Sequence, residues 1–169
     1  MKRHLIIASL FFSMPASAQV RSKSFERLFF AGVTDAMPSV LVKAYGDGHL
    51  ELYWSDRSGV NSILMSVDTA DVRVWSDTVR KVIDLKPTVS KGEELEYKLP
   101  LLKSKDGEYV ALSRTVKTGF LANVTPYFLG GMDKAAINKV GGFAKEGGVK
   151  MFLKQLDDAT KAVASLKSP

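Results

Sequence analysis

The sequence predicts an α+β domain, with an antiparallel sheet of about five or six strands and two amphipathic helices packed on one face. Three observations predict it. Asp-Gly turns at 47–48 and 106–107 each join stretches of strand character. Two stretches, at about 69–84 and 149–166, place their apolar residues at helical spacing. No linker is long enough to divide the chain into two domains.

The chain opens on Met1, Lys2, Arg3 and His4, followed by an apolar run over 5–12 broken only by Ser9. Ala16-Ser17-Ala18 then supplies small residues. This is the pattern of a secretory signal peptide covering 1–18, with cleavage expected after Ala18. The apolar run is roughly half of the ~20 residues a spanning helix needs, so a membrane-spanning protein is not expected. The expected mature chain is one domain over 19–169, periplasmic or extracellular.

Residues 19–39 mix charge and aromatics and predict a loose start, then a short helix or strand. A hairpin follows, with strands at 40–45 and 49–54 around Gly46-Asp47-Gly48. Residues 63–67 suit a third strand. In the first helix Val72, Trp75, Val79, Val82 and Ile83 share one face. Arg73–Asp77, Asp77–Lys81 and Arg80–Asp84 are spaced for ion pairs on the other. A second hairpin runs over 95–102 and 109–116, and 120–129 reads as one more strand, with Pro126 at an edge or bulge. Glycine pairs at 130–131, 141–142 and 147–148 predict a flexible connector holding a possible short helix over 132–140. The last helix has Val149, Phe152, Leu153, Leu156, Val163 and Leu166 on its apolar stripe. No sequence repeat is visible.

Composition narrows the chemistry. The chain has no cysteine, which excludes disulfides, thiol catalysis and thiolate metal sites. Of its two histidines only His49 survives loss of the leader, so neither a zinc site nor a cofactor is expected. The acidic clusters lack the loop spacing of an EF-hand. Lys117-Thr118-Gly119 matches one element of serine penicillin-recognising enzymes, but no serine has a lysine three residues later, so the tripeptide reads as a strand end. Without the leader, 22 basic and 18 acidic residues give a net charge of +4, which is no nucleic-acid signature.

The expected function is therefore a non-catalytic binding or interaction protein of the cell envelope. Its partner would be an envelope protein, a lipid or an anionic polymer. A small envelope hydrolase using a carboxylate pair and a peripheral membrane-surface binder are the alternatives. The expected partner-binding residues are Lys134, Lys139, Phe143, Lys145 and Lys150, where basic and apolar side chains mix in the glycine-rich stretch and the start of the helix after it.

Overall fold

A computed structural model of the 169-residue chain describes residues 39–56 and 60–166, together with the backbone of 23–24 and 28–29. The expected leader over 1–18 and most of 19–38 lie outside the described residues. The α+β class holds, and the strands divide between two antiparallel sheets.

The first sheet is a meander of β3 (Ser39–Ala44), β4 (His49–Ser55) and β5 (Ser62–Asp68). Two-residue strands, β1 (Lys23–Ser24) and β2 (Leu28–Phe29), pair on the far edge of β3. Alternation along each strand sends every second residue inward. Val40, Trp54 and Ile63 align across the sheet, then Val42, Leu52 and Met65, then Ala44, Leu50 and Val67, and all are buried. Gly48 closes the first hairpin at φ 103°, a conformation that favours glycine.

Helix α1 (Thr69–Asp84) follows β5 directly. Val72, Trp75, Val79 and Ile83 are buried, as their spacing predicts. None of the three expected i,i+4 pairs is among the ion pairs of the described residues. Arg80 instead reaches Asp77 at 3.1 Å and Asp157 of the last helix at 2.5 Å. A tertiary carboxylate is within reach of its long side chain, and exposed intrahelical pairs hold it only weakly.

The second sheet is built on β8 (Tyr109–Thr118). On one side lie β6 (Glu94–Lys98) and β7 (Leu102–Lys103), separated at Pro100, which has no N–H to donate. β9 (Asn123–Val124) folds back on the end of β8. β10 (Tyr127–Met132) and β11 (Lys139–Ala144) complete the sheet on the other side. Helix α2 (Glu146–Leu166) buries Val149, Phe152, Leu153, Leu156 and Val163, with Leu166 packed against the core.

Two expectations need correction. The strand expected at 120–129 begins at Tyr127, after a turn and the short β9. The expected flexible connector with a helix over 132–140 is a hairpin; Gly147 and Gly148 open the last helix, while Gly130, Gly131, Gly141 and Gly142 sit inside paired strands. They are there because something else occupies the space of a side chain. A Cβ on Gly131 would lie 2.6 Å from the buried Trp54 ring. A Cβ on Gly141 would lie 2.7 Å from the Gly130 backbone.

Trp54 belongs to the first sheet, so its contact with Gly131 joins the two sheets. Its ring also meets Phe152 of α2 at 5.6 Å between centroids, and Phe152 meets Trp75 of α1 edge-on at 6.3 Å. Trp75 Nε1 donates to the Pro100 carbonyl at 2.7 Å, which ties the loop between β6 and β7 to α1. One core fills the space between both sheets and both helices.

Arg114 fastens α1 to the second sheet. Only 4% exposed, it points inward from β8 between its cross-strand neighbours Tyr97 and Tyr127, with the guanidinium 5.7 and 5.8 Å from their ring centroids. It donates to the Val82 carbonyl and, at 2.8 Å, to the Leu85 carbonyl, where α1 ends. The cation thus faces the negative end of the helix dipole, where it joins the Leu85 N–H on the Val82 carbonyl and satisfies the Leu85 carbonyl just past the helix. Replacing Arg114 with Met should cost about 3 kcal/mol or more in chemical denaturation, because each charge-assisted bond contributes ~1.5–3 kcal/mol. A loss under about 1 kcal/mol would contradict this role.

Candidate functional site

Alternation that sends nine residues of the first sheet inward sends their neighbours outward. The outward row Leu41, Tyr53 and Leu64 runs straight across β3, β4 and β5. These are apolar side chains on the face that an antiparallel sheet ordinarily gives to polar ones. Tyr53 is 41% exposed and Leu64 55%. The next row is Lys43, Glu51 and Ser66. Leu41, Tyr53 and Leu64, with Lys43 and Glu51 as rim, line a shallow groove of about 300 Å³. That is the lower end of the size range of small-molecule pockets.

The rim is held by hydrogen bonds. Tyr45, at the end of β3, donates its hydroxyl to Glu51 Oε2 at 2.6 Å. Its ring stacks on His49 at 4.5 Å between centroids. The His49 Nδ1 lies 2.5 Å from Asp47 Oδ1. Tyr45 is pushed up to about 12, first by its bond to the Glu51 carboxylate, then by desolvation and by the charges of Glu51 and Asp47. Partial desolvation acts to raise the Asp47 carboxyl, but bonds from the His49 ring and amide outweigh it, and Asp47 falls below the ordinary carboxylate value.

A second groove of about 280 Å³ runs between the helices, lined by Ile83 and Leu153 and by the charged Arg80, Asp84, Lys150, Lys154 and Asp157. It holds two acids, the arrangement that a carboxylate hydrolase would use. Its basic side chains stand beside them, however, and Asp157 is bonded to Arg80 at 2.5 Å. Lys154 pairs with Asp158 at 2.6 Å. An acid held by a cation is a poor proton donor at neutral pH, since pairing favours its charged form. Among the described residues no group of three or more His, Cys, Asp or Glu is placed to hold a metal ion.

The sequence-predicted binding residues fall in several places. Lys139 and Phe143 project from the outer face of β11, where Phe143 meets Phe128 edge-on at 6.0 Å. Lys134 lies in the turn between β10 and β11, against Gly107. Lys145 is exposed between β11 and α2, at the opposite end of that strand from Lys134. Lys150 pairs with Glu146 at 2.6 Å on α2. Lys139 and Phe143 share one face of β11 but stand four residues apart, and the other three lie off that face. The apolar row was missed, though its signal is present: 40–42 and 63–65 are apolar at every position, so both faces of those strands carry apolar side chains.

No protein-family model matches the chain, and no curated protein matches it in sequence. No described helix is long and apolar enough to cross a membrane.

The rim chemistry gives a spectroscopic expectation. A raised tyrosine keeps its proton in the folded state, so the stability contributed by the Tyr45–Glu51 bond is intact below about pH 10 and is lost as pH rises through about 12. Alkaline titration followed by tyrosinate absorbance should show late ionisation that Tyr45→Phe reduces by one group. Loss of that group from the ordinary range near pH 10, with the late phase unchanged, would place Tyr45 among the ordinary tyrosines.

Proposed function

We propose that the protein is exported and acts as a non-catalytic binding protein of the cell envelope, seating an apolar side chain or short alkyl group of its ligand on the outer face of the first sheet. The observation that carries the binding part is the row Leu41–Tyr53–Leu64 on a solvent face, with its groove and its charged rim. An apolar floor gains free energy when water leaves it, and a rim of opposite charges fixes how a ligand lies. Support for export comes from the sequence alone, in the charged start, short apolar run and Ala16-Ser17-Ala18 end. The absence of cysteine is compatible with an oxidising compartment but does not require one. The partner class is an envelope protein, a lipid or an anionic polymer.

The Arg80 guanidinium on Asp157, one of the two acids between the helices, weighs against the carboxylate-hydrolase alternative.

The test uses protein recovered from the exported fraction, whose intact mass should begin at Gln19. Titrating indole as a stand-in for an aromatic ligand should shift the amide resonances of residues 41, 53 and 64. Leu64→Lys should abolish those shifts while leaving the melting curve in place. Shifts confined to the helix groove, or none at all, would contradict the assignment of this face.

A further inference from the structure

The turn that joins β8 to β9 has an unusual composition. The Gly119 N–H donates to the Ala122 carbonyl at 2.8 Å, so Phe120 and Leu121 occupy the two central positions of a tight turn. Such positions ordinarily go to Gly, Asn, Asp, Pro or Ser. Here Phe120 is 99% exposed and Leu121 91%, the two highest values among the large apolar side chains described.

The tip is anchored rather than frayed. Thr118 Oγ1 donates to the Ser90 carbonyl at 2.6 Å, which fixes the base of the turn to the loop before β6. A Cβ on Gly119 would stand 2.5 Å from the Ala122 carbonyl oxygen and 2.6 Å from Val124 Cγ2, so the turn closes only with glycine there. Thr115 N–H donates to the Pro126 carbonyl at 3.0 Å just below. Val124, half exposed, extends the apolar surface down from the apex. The fold therefore holds two bare apolar side chains outward at a convex point, where no neighbouring element among the described residues covers them.

We propose that this tip inserts into the interfacial layer of a lipid bilayer and docks the protein on the membrane surface. Shape favours a lipid over a protein groove. A convex apex with consecutive Phe and Leu suits the boundary between headgroups and acyl chains. Lys117 lies opposite Val124 on the ladder, and Lys91 follows the Ser90 that binds Thr118. Of the nearby acids, Glu94 faces Lys117 and Glu93 accepts the Ser90 N–H at 3.0 Å. Lys91 makes no ion pair among the described residues and is available to anionic headgroups, and the chain without its leader carries +4. Insertion of the apolar pair supplies most of the attraction, and the lysines add a part that salt screens. Export supplies access to such a membrane, but the vesicle experiment does not depend on that reading or on the sheet groove.

The probe is vesicles of phosphatidylcholine with about a quarter phosphatidylglycerol. Phe120→Trp should shift its fluorescence to the blue on mixing, and lipids brominated near the headgroup should quench it. Phe120→Ser with Leu121→Ser should lower vesicle partitioning about tenfold or more with an unchanged melting curve. Lys91→Glu should lower it less, and only at low salt. An unshifted tryptophan, or equal partitioning of the double serine variant, would overturn the proposal. A tryptophan that shifts only with an envelope protein fraction, and not with vesicles, would overturn it in favour of a protein partner.

Discussion

The contact between Trp54 and Gly131 is the constraint on which the rest of the structure depends. Trp54 comes from the first sheet and Gly131 from the second, and the indole fills the space a side chain would take. From there the aromatic contacts continue through Phe152 of α2 to Trp75 of α1. One chain of rings thus touches both sheets and both helices. Aromatic pairs of this kind bury large areas and prefer tilted geometries, so they fix relative orientation as well as separation. The two halves of the molecule share an order of meander then helix, β3-β4-β5-α1 and β8-β10-β11-α2, and this chain is where they lock.

That lock determines which surfaces remain free. The inner faces of both sheets and the apolar stripes of both helices are consumed by the core. Arg114 takes up the end of α1, and Arg80 with Asp157 ties the helices on their charged side. Among the apolar side chains left open outside are the row Leu41–Tyr53–Leu64, the Phe128–Phe143 pair, and the Phe120–Leu121 tip. A protein with no disulfide holds its shape by burial and hydrogen bonds, so exposed apolar groups add nothing to its core. Their placement at defined ladder positions and on an anchored turn is the physical basis for reading them as contact surfaces.

The elements most legible in the sequence were those whose side chains carry a period. The first hairpin shows alternation around an Asp-Gly turn, and α1 shows its apolar face at helical spacing, so its bounds come out at Thr69–Asp84. The stretch 127–144 was not legible. Its strands alternate Tyr127, Leu129, Gly131 and Val140, Gly142, Ala144 inward, and glycine has no side chain to register in a hydrophobic pattern. The reason for a glycine at 131 lies 77 positions earlier at Trp54, so no local reading reaches it. The binding residues suffered from the same error. Lys134 and Lys145 look adjacent in a connector but stand at opposite ends of a strand. Phe120 and Leu121 read as strand residues because a tight turn seldom carries them.

The most direct test of this account is a double-mutant cycle of Trp54→Leu and Gly131→Ala, followed by denaturant unfolding. Gly131→Ala alone should cost roughly 1–3 kcal/mol, since the added methyl must displace a buried ring. In the Trp54→Leu background the same change should cost at least about 1 kcal/mol less, because the smaller side chain makes room. Equal costs in both backgrounds would mean that the two residues do not meet, and the joining of the sheets through this contact would be contradicted.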